Sequence, residues 1–221
     1  DGVIANSEPL HLETFQQVLA TIGVRLDAVE YYERYLGYDD EGALRAVLSD
    51  RGLPADDGEV ARLIAGKAQL LPRLLASEGI LVPGAAACVA RLGAVLPLAI
   101  ASGARREEIE LVLEARDLRH QFEVIVASGE TPRSKPYPDP YARAIAELGA
   151  LGRIPAGTPA AACVAIEDSH WGIASAQAAG LACVALTTSY PREALGLADH
   201  VVDSLDEVTP ALLAGLRRKP C

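Results

Sequence analysis

The chain contains no methionine, not even at its first position, which is Asp1. A natural N-terminus upstream of Asp1 is therefore expected, and any leader would have to be sought there. Long apolar runs are lacking too. None approaches the roughly 18 residues of a membrane span, and the stretches near Val95 and Val164 have only the length of buried strands, so no membrane insertion is expected. Cysteine is sparse: Cys88, Cys163, Cys183 and Cys221 lie far apart and form no CxxC pair. That disfavours a zinc site or a disulfide framework and points to buried thiols in a reducing, cytoplasmic setting. Basic residues are in deficit, 20 Lys and Arg against 30 Asp and Glu, for a formal net charge of -10. The average field repels polyanions, and with no basic patch nucleic acid is not expected as a partner. Any anionic substrate must be held by a few local groups.

What is present is a chain of 221 residues, 50% hydrophobic, long enough for one domain of ordinary size with a smaller insert. From about Gly84 onward, short β-branched apolar runs alternate with helical patterns. The runs are Val95 to Ala101, Phe122 to Val126, Ala162 to Ile166, Cys183 to Leu186 and His200 to Val202. Strand alternating with helix predicts an α/β fold, a Rossmann-like, doubly wound parallel sheet with ligands at the carboxyl ends of its strands. Residues 8–79 differ. Leu10 to Ile22, Gly42 to Asp50 and Glu59 to Leu75 carry apolar residues at three- and four-residue spacing, with no strand-like run, and Gly23 is placed to close the first helix. The expected division is an α/β core of 1–7 with 80–221 and a small all-α insert of 8–79, with a hinge near Gly79 and Pro83. No internal repeat or low-complexity tract is present.

Four short segments carry candidate chemistry. Singly, each has a plain explanation: Asp1-Gly2 as a turn, Ser102 as a helix N-cap, Lys135-Pro136 as a solvated loop, Glu167-Asp168 as a polar strand end. Their placement argues otherwise. Ser102 follows one predicted strand and Glu167-Asp168 another, both where α/β sheets bind ligands. Ser102-Gly103-Ala104 is predicted to open a helix, offering a hydroxyl, backbone N–H groups and the positive end of a helix dipole to a phosphate.

With these residues in view, the chain resembles the haloacid dehalogenase superfamily over nearly its whole length, in the phosphatase and β-phosphoglucomutase-like branch. DGVIANSEPLH is similar to the second half of that family's first motif, with Asp1 as the second aspartate of Asp-x-Asp-Gly. IASGA resembles the second motif, SKPYPDP the lysine motif, and IEDSHWGIASAQAAG the acidic motif. The resemblance implies hydrolysis of a small phosphorylated metabolite through an aspartyl-phosphate, with Mg2+ as cofactor. It places the nucleophile two residues before Asp1, on a strand between those ending at Ser102 and Ile166.

It also implies individual roles. Attack by a carboxylate on an anionic phosphate needs cations, since like charges about 4 Å apart repel by roughly 4 kcal/mol at an effective dielectric of about 20. Lys135 is implied as a phosphate-binding point charge, and Asp168 with the backbone carbonyl of Asp1 as metal ligands, Glu167 orienting the metal shell. Ser102 and the Gly103 N–H are implied to hold phosphoryl oxygens, and the Asp1 carboxyl to act as general acid and base. Family branches that dehalogenate or cleave carbon–phosphorus bonds generally lack an aspartate at the position of Asp1.

The helical insert resembles the family's mobile cap. His11 sits where related sugar-phosphate enzymes keep a histidine, and Arg105 follows the phosphate turn, although a partly exposed helix residue and a solvated arginine describe them equally well. The segment Leu36-Gly37-Tyr38-Asp39-Asp40 is neutral to acidic where phosphomutases place basic residues; Arg34, Arg45, Lys67 and Arg73 could supply charge from neighbouring helices, but solvated helix faces describe them equally well. Phosphatase is therefore expected ahead of a β-phosphoglucomutase-like isomerase. A phosphate-binding protein without turnover is the expectation if the upstream aspartate is absent. The chain is expected to be a monomer or a weak homodimer.

Overall fold

A computed structural model describes residues 1–35, 38, 40–76 and 79–216. Leu36, Gly37, Asp39 and Cys221 lie outside the described residues. The chain forms two compact units, one of Asp1–Asn6 with Glu78–Cys221 and the other of Ser7–Ser77.

The unit Ser7–Ser77 is helical: α1 (Glu8–Ala20), α2 (Ala28–Arg34), α3 (Asp40–Asp50) and α4 (Asp57–Leu75). Leu12, Phe15, Val18 and Leu19 of α1 pack with Leu44, Val47 and Leu48 of α3 and Val60 and Leu63 of α4, the stripes that the three- and four-residue spacing predicts. Helix α1 ends before Gly23, whose positive φ of 73° lets Val24 N–H reach the Leu19 carbonyl. Helix α2 was not expected from the sequence. It is short, opened by the Asp27 carboxylate accepting Val29 N–H at 2.9 Å, and within its span only Tyr31 is buried.

The larger unit is α/β. Its strands are β1 (Leu98–Ala101), β2 (Phe122–Val126), β3 (Val164–Glu167), β4 (Ala182–Leu186) and β5 (His200–Val202). Its helices are α5 (Ala85–Gly93), α6 (Arg106–Glu114), α7 (Asp139–Ala150), α8 (His170–Ala178) and α9 (Pro210–Leu216). The pairings between these strands are parallel, β1 with β2 in one sheet and β3, β4 and β5 in order in another. Two expected strands are shorter than predicted: Val95 to Pro97 precede β1, and Ala160–Ala162 form a 3-10 turn before β3.

Alternation along the strands serves two faces. Val184, Leu186, Val202 and Leu98 pack under α5 and α9, and Ile100 and Ile125 under α5 and α6. On the other face Ala165, Cys183 and Ala185 meet α8, while Ala99, Val124 and Val126 meet α7. Helices on both faces of parallel strands make the unit doubly wound. All of β4 is buried, whereas the four residues of β1 and Val164 and Ile166 of β3, on strands that end their sheets, stay partly exposed. The head of the chain joins this unit: Asn6 N–H donates to the Ile80 carbonyl at 2.8 Å and Val82 N–H to the Ile4 carbonyl at 3.0 Å.

Candidate active site

The loops after the strands gather the candidate residues at one end of the α/β unit. Asp1 is exposed at the head of a tight turn in which Gly2 N–H donates to the Ala5 carbonyl at 2.7 Å. Gly2 has φ of 68°, and a Cβ on it would fall 1.8 Å from Asp168 Oδ2 and 2.1 Å from its Cγ. The turn is thus seated on the Asp168 carboxyl, and only glycine meets both conditions.

Asp168 follows β3 and is half-buried. Its carboxylate accepts the Ser189 hydroxyl, from the loop after β4. Burial raises its pKa; the Ser189 hydrogen bond works against this, the neighbouring Glu167 charge adds to it, and Lys135 offsets part. Glu167, the last residue of β3, is 4% exposed and would be a costly isolated anion. It accepts from both the Lys135 ammonium and the Tyr141 hydroxyl. Its carboxyl occupies the space that a side chain on Gly172 would take, since a Cβ there would lie 1.9 Å from Oε2. Ser169 caps α8 by accepting Gly172 N–H at 3.2 Å, which keeps that first turn in place beside the carboxylate. Burial, then the adjacent Glu167 carboxylate, raises the Tyr141 phenol well above its ordinary pKa, so it stays a donor.

Ser102 directly follows β1 and is held by its N–H to the Val126 carbonyl at 2.9 Å. The sequence placed it at a helix N-terminus, and the structure corrects this. Its hydroxyl oxygen accepts Ala104 N–H at 3.1 Å in a local turn, Arg105 is extended, and α6 starts only at Arg106. The hydroxyl hydrogen is therefore aimed away from Ala104, and Gly103 is exposed at the turn's tip with nothing within 4 Å of where its Cβ would be.

Arg105 is exposed, and its backbone N–H donates to Glu108 Oε2 at 3.3 Å. It is the neighbouring Arg106 that is engaged, forking Glu130 at 2.6 and 2.8 Å and donating to the Ile125 carbonyl at 2.7 Å. His11 belongs to the helical unit, where its Nδ1 lies 3.0 Å from Lys67 Nζ. Of the two readings open for Lys67, the solvated helix face is excluded: it is 1% exposed, ion-paired with Asp40.

The structure thus brings Asp1 (through Gly2) to Asp168, and Lys135 to Glu167, with Ser102 and Gly103 at the carboxyl end of β1. Sequence reasoning missed Ser189, Tyr141, Gly2 and Gly172 as supports. Ser189 was findable, because Thr187-Thr188-Ser189 follows β4 just as Glu167-Asp168 closes β3. Gly172 carried a signal as well, since a glycine in the first turn of a helix costs stability unless something needs the room.

Among the described residues, no three of His, Cys, Asp and Glu converge as a ready metal cage. Hard oxygen donors are nonetheless in place for Mg2+: a half-buried Asp168 carboxylate held by one hydroxyl, against the Asp1-Gly2 backbone. Glu167 is turned to Lys135 and Tyr141 and would act around the ion's shell. Among the described residues no helix is long and apolar enough to cross a membrane.

Comparison with known proteins places the chain in a family. The profile of the haloacid dehalogenase-like hydrolases matches residues 1–180. The protein CbbY of Rhodobacter capsulatus is 34% identical over 199 residues, 87% of this chain and 84% of that protein. Hexitol phosphatase B of Escherichia coli is 29% identical over 222 residues, 97% of this chain and 94% of that one. The crystal structure of an Asp-to-Asn mutant of CbbY from Rhodobacter sphaeroides in complex with xylulose-1,5-bisphosphate matches with a TM-score of 0.81 at 28% identity, over 99% of this chain and 96% of that one. The chain belongs to the haloacid dehalogenase-like hydrolase family.

Proposed function

We propose that the protein is a Mg2+-dependent phosphatase of small sugar or polyol phosphate monoesters, acting through an aspartyl-phosphate. The observation that carries this is the seating of the Asp1-Gly2 turn on the Asp168 carboxyl, beside the Lys135–Glu167 pair. An acid and base, an anionic metal ligand and a phosphate-binding cation are then held at one end of parallel strands, where this fold class binds ligands.

When bound by Asp168 and the Asp1 carbonyl, Mg2+ supplies positive charge that lets an anionic ester approach a carboxylate. Lys135, oriented by Glu167, adds a second cation for the phosphoryl oxygens. The Ser102 hydroxyl hydrogen and the Gly103 N–H complete the cradle. The Asp1 carboxyl protonates the departing alkoxide and then takes a proton from the attacking water. The attacking carboxylate belongs, in this reading, to an aspartate two residues before Asp1, at the end of a strand between β1 and β3. The partly exposed apolar residues along β1 and β3 are consistent with such a neighbour. In this reading the helical unit Ser7–Ser77 is the counterpart of the family's cap.

The test is Asp1→Asn. Turnover of a sugar phosphate should fall roughly 100- to 10,000-fold, the worth of a positioned acid and base, while phosphate and metal still bind. Nitrophenyl phosphate, whose leaving group needs no proton, should lose much less. Equal losses on both esters would assign Asp1 a structural part only.

A further inference from the structure

The loop that carries Lys135 crosses between two sheets. It leaves the end of β2, which pairs with β1, and delivers the ammonium to Glu167 at the end of β3 in the other sheet. Glu167 holds the head of that lysine. The start of the loop is held by a separate set of contacts. Arg106, the first residue of α6, forks the Glu130 carboxylate at 2.6 and 2.8 Å and donates to the Ile125 carbonyl of β2 at 2.7 Å. Glu130 Oε2 also accepts the Ala127 N–H at 3.1 Å, and the Glu130 N–H donates to the Ala127 carbonyl at 3.3 Å, which closes the loop's first turn from both sides. Beside the fork, Ser128 N–H donates to the Ala104 carbonyl and Ser102 N–H to the Val126 carbonyl, each at 2.9 Å. The turn of residues 102–104 and the first turn of the lysine loop are therefore one piece.

The fastening continues toward Lys135. Arg143 of α7 donates to the Glu130 carbonyl, the Thr131 hydroxyl donates to the Arg133 carbonyl at 3.0 Å, and Arg133 forks Asp139 of α7 at 2.9 and 3.2 Å. The Arg106–Glu130 pair is partly exposed, where an ion pair contributes little to stability by itself. Its position adds something else, a side-chain link between the segment that follows β1 and the segment that follows β2. The link calls for arginine. A planar guanidinium meets both carboxylate oxygens and still offers an N–H to the Ile125 carbonyl, whereas the ammonium of a lysine is a point charge that cannot span all three.

The geometry points to Arg106 and Glu130 as positioning residues of the phosphate cradle: their fork fixes the separation of the Ser102-Gly103 turn and the Lys135 loop, so that hydroxyl, N–H and ammonium close on one phosphoryl group. The inference rests on the reading of Ser102, Gly103 and Lys135 as the phosphate-binding groups. Arg106 and Glu130 act through the backbone they fasten. Asp168 and the Asp1-Gly2 turn lie outside this link, so phosphate affinity depends on the fork and Mg2+ affinity does not.

The experiment is calorimetric titration of the natural protein and its variants, first with Mg2+ alone and then with inorganic phosphate in saturating Mg2+. Glu130→Ala should raise the phosphate Kd about tenfold, as expected when donors are displaced by about 1 Å, while the Mg2+ Kd moves less than about twofold. Arg106→Lys keeps the charge and loses the fork, and it should raise the phosphate Kd by at least about threefold, again without the Mg2+ Kd. If Glu130→Ala does not fold, Arg106→Lys decides alone. Folded variants whose phosphate Kd stays at the wild-type value overturn the proposal, as does a loss of Mg2+ and phosphate affinity by the same factor, which would mark a general loosening of the unit. Either result leaves the phosphatase reading standing if the wild type releases phosphate from esters. A wild type that takes up no phosphate overturns that reading of Ser102, Gly103 and Lys135, and this proposal with it.

Discussion

The carboxyl of Asp168 lies where a side chain on Gly2 would have to be, with Oδ2 only 1.8 Å from the position of a Cβ. Two segments separated by most of the chain are thereby fixed against each other. The contact explains why Gly follows Asp1: the positive φ and the close approach both exclude a larger residue.

Gly2→Ala should therefore be damaging twice over. The backbone conformation costs about 1 to 2 kcal/mol for an L residue, and the methyl group must push Asp168 aside. A displacement of about 1 Å at such a site is worth roughly 100-fold in rate. Phosphate-release kinetics with a Mg2+ titration check this. A folded Gly2→Ala with unchanged metal affinity and rate would show that the turn is not seated as described.

The Lys135–Glu167–Tyr141 group should behave as a unit. Lys135→Met leaves Glu167 buried with one partner fewer and should cost about 3 to 5 kcal/mol, whereas adding Glu167→Gln should recover part of that loss. Tyr141→Phe removes one hydrogen bond to a buried carboxylate and should cost about 1 to 3 kcal/mol. Denaturant unfolding of the single and double variants measures the coupling. Additive losses in Lys135→Met and Glu167→Gln would contradict it.

How much of this could be read from the sequence follows from which interactions are local. Strands β2 and β5 coincide with their predicted runs, and α1, α3 and α4 with theirs within two residues, because apolar periodicity reports burial directly. Asp168, Glu167 and Ser102 were legible as residues at strand ends. Tyr141 was not, because it acts on a residue 26 positions away along a path that only the fold defines, and the signals at Ser189 and Gly172 named no partner, theirs lying 21 and 5 positions away. Lys67 stayed open between two readings for the same reason: a lysine on an amphipathic helix is ordinarily solvated, and Asp40 and His11, from two other helices, make its burial tolerable.

Acid should weaken the protein partly through His11. Its folded pKa of about 4 lies below the ordinary value of 6.5, so the unfolded chain binds more protons between these pH values. The sign follows: stability falls as pH drops from about 6.5 to about 4 and gains no further loss from this group below that. The contribution is about 1 to 3 kcal/mol after allowance for solvent screening. His11→Gln should flatten that part of the pH–stability curve. An identical slope in the variant and wild type would remove His11 from the account.

The same logic applies with opposite protonation chemistry at Glu130, whose pKa is pushed down to about 2, first by the Arg106 fork and then by Ala127 N–H. Its stabilisation is present above about pH 4.5 and is lost as pH falls through about 2. Arg106→Ala should cost about 1 to 2 kcal/mol at neutral pH, the pair being partly exposed, and the difference from wild type should shrink below about pH 4. Thermal unfolding at several pH values reads this out.

The most direct measurement is phosphate released from sugar and polyol monophosphates by the natural protein, with Mg2+ and again after exhaustive chelation. Turnover that depends on the ion, disappears in Asp168→Ala and returns when Mg2+ is restored to the wild type is the predicted result. Undiminished turnover after chelation, or a fully active Asp168→Ala, would contradict the assignment of this strand-end site to metal-assisted ester hydrolysis.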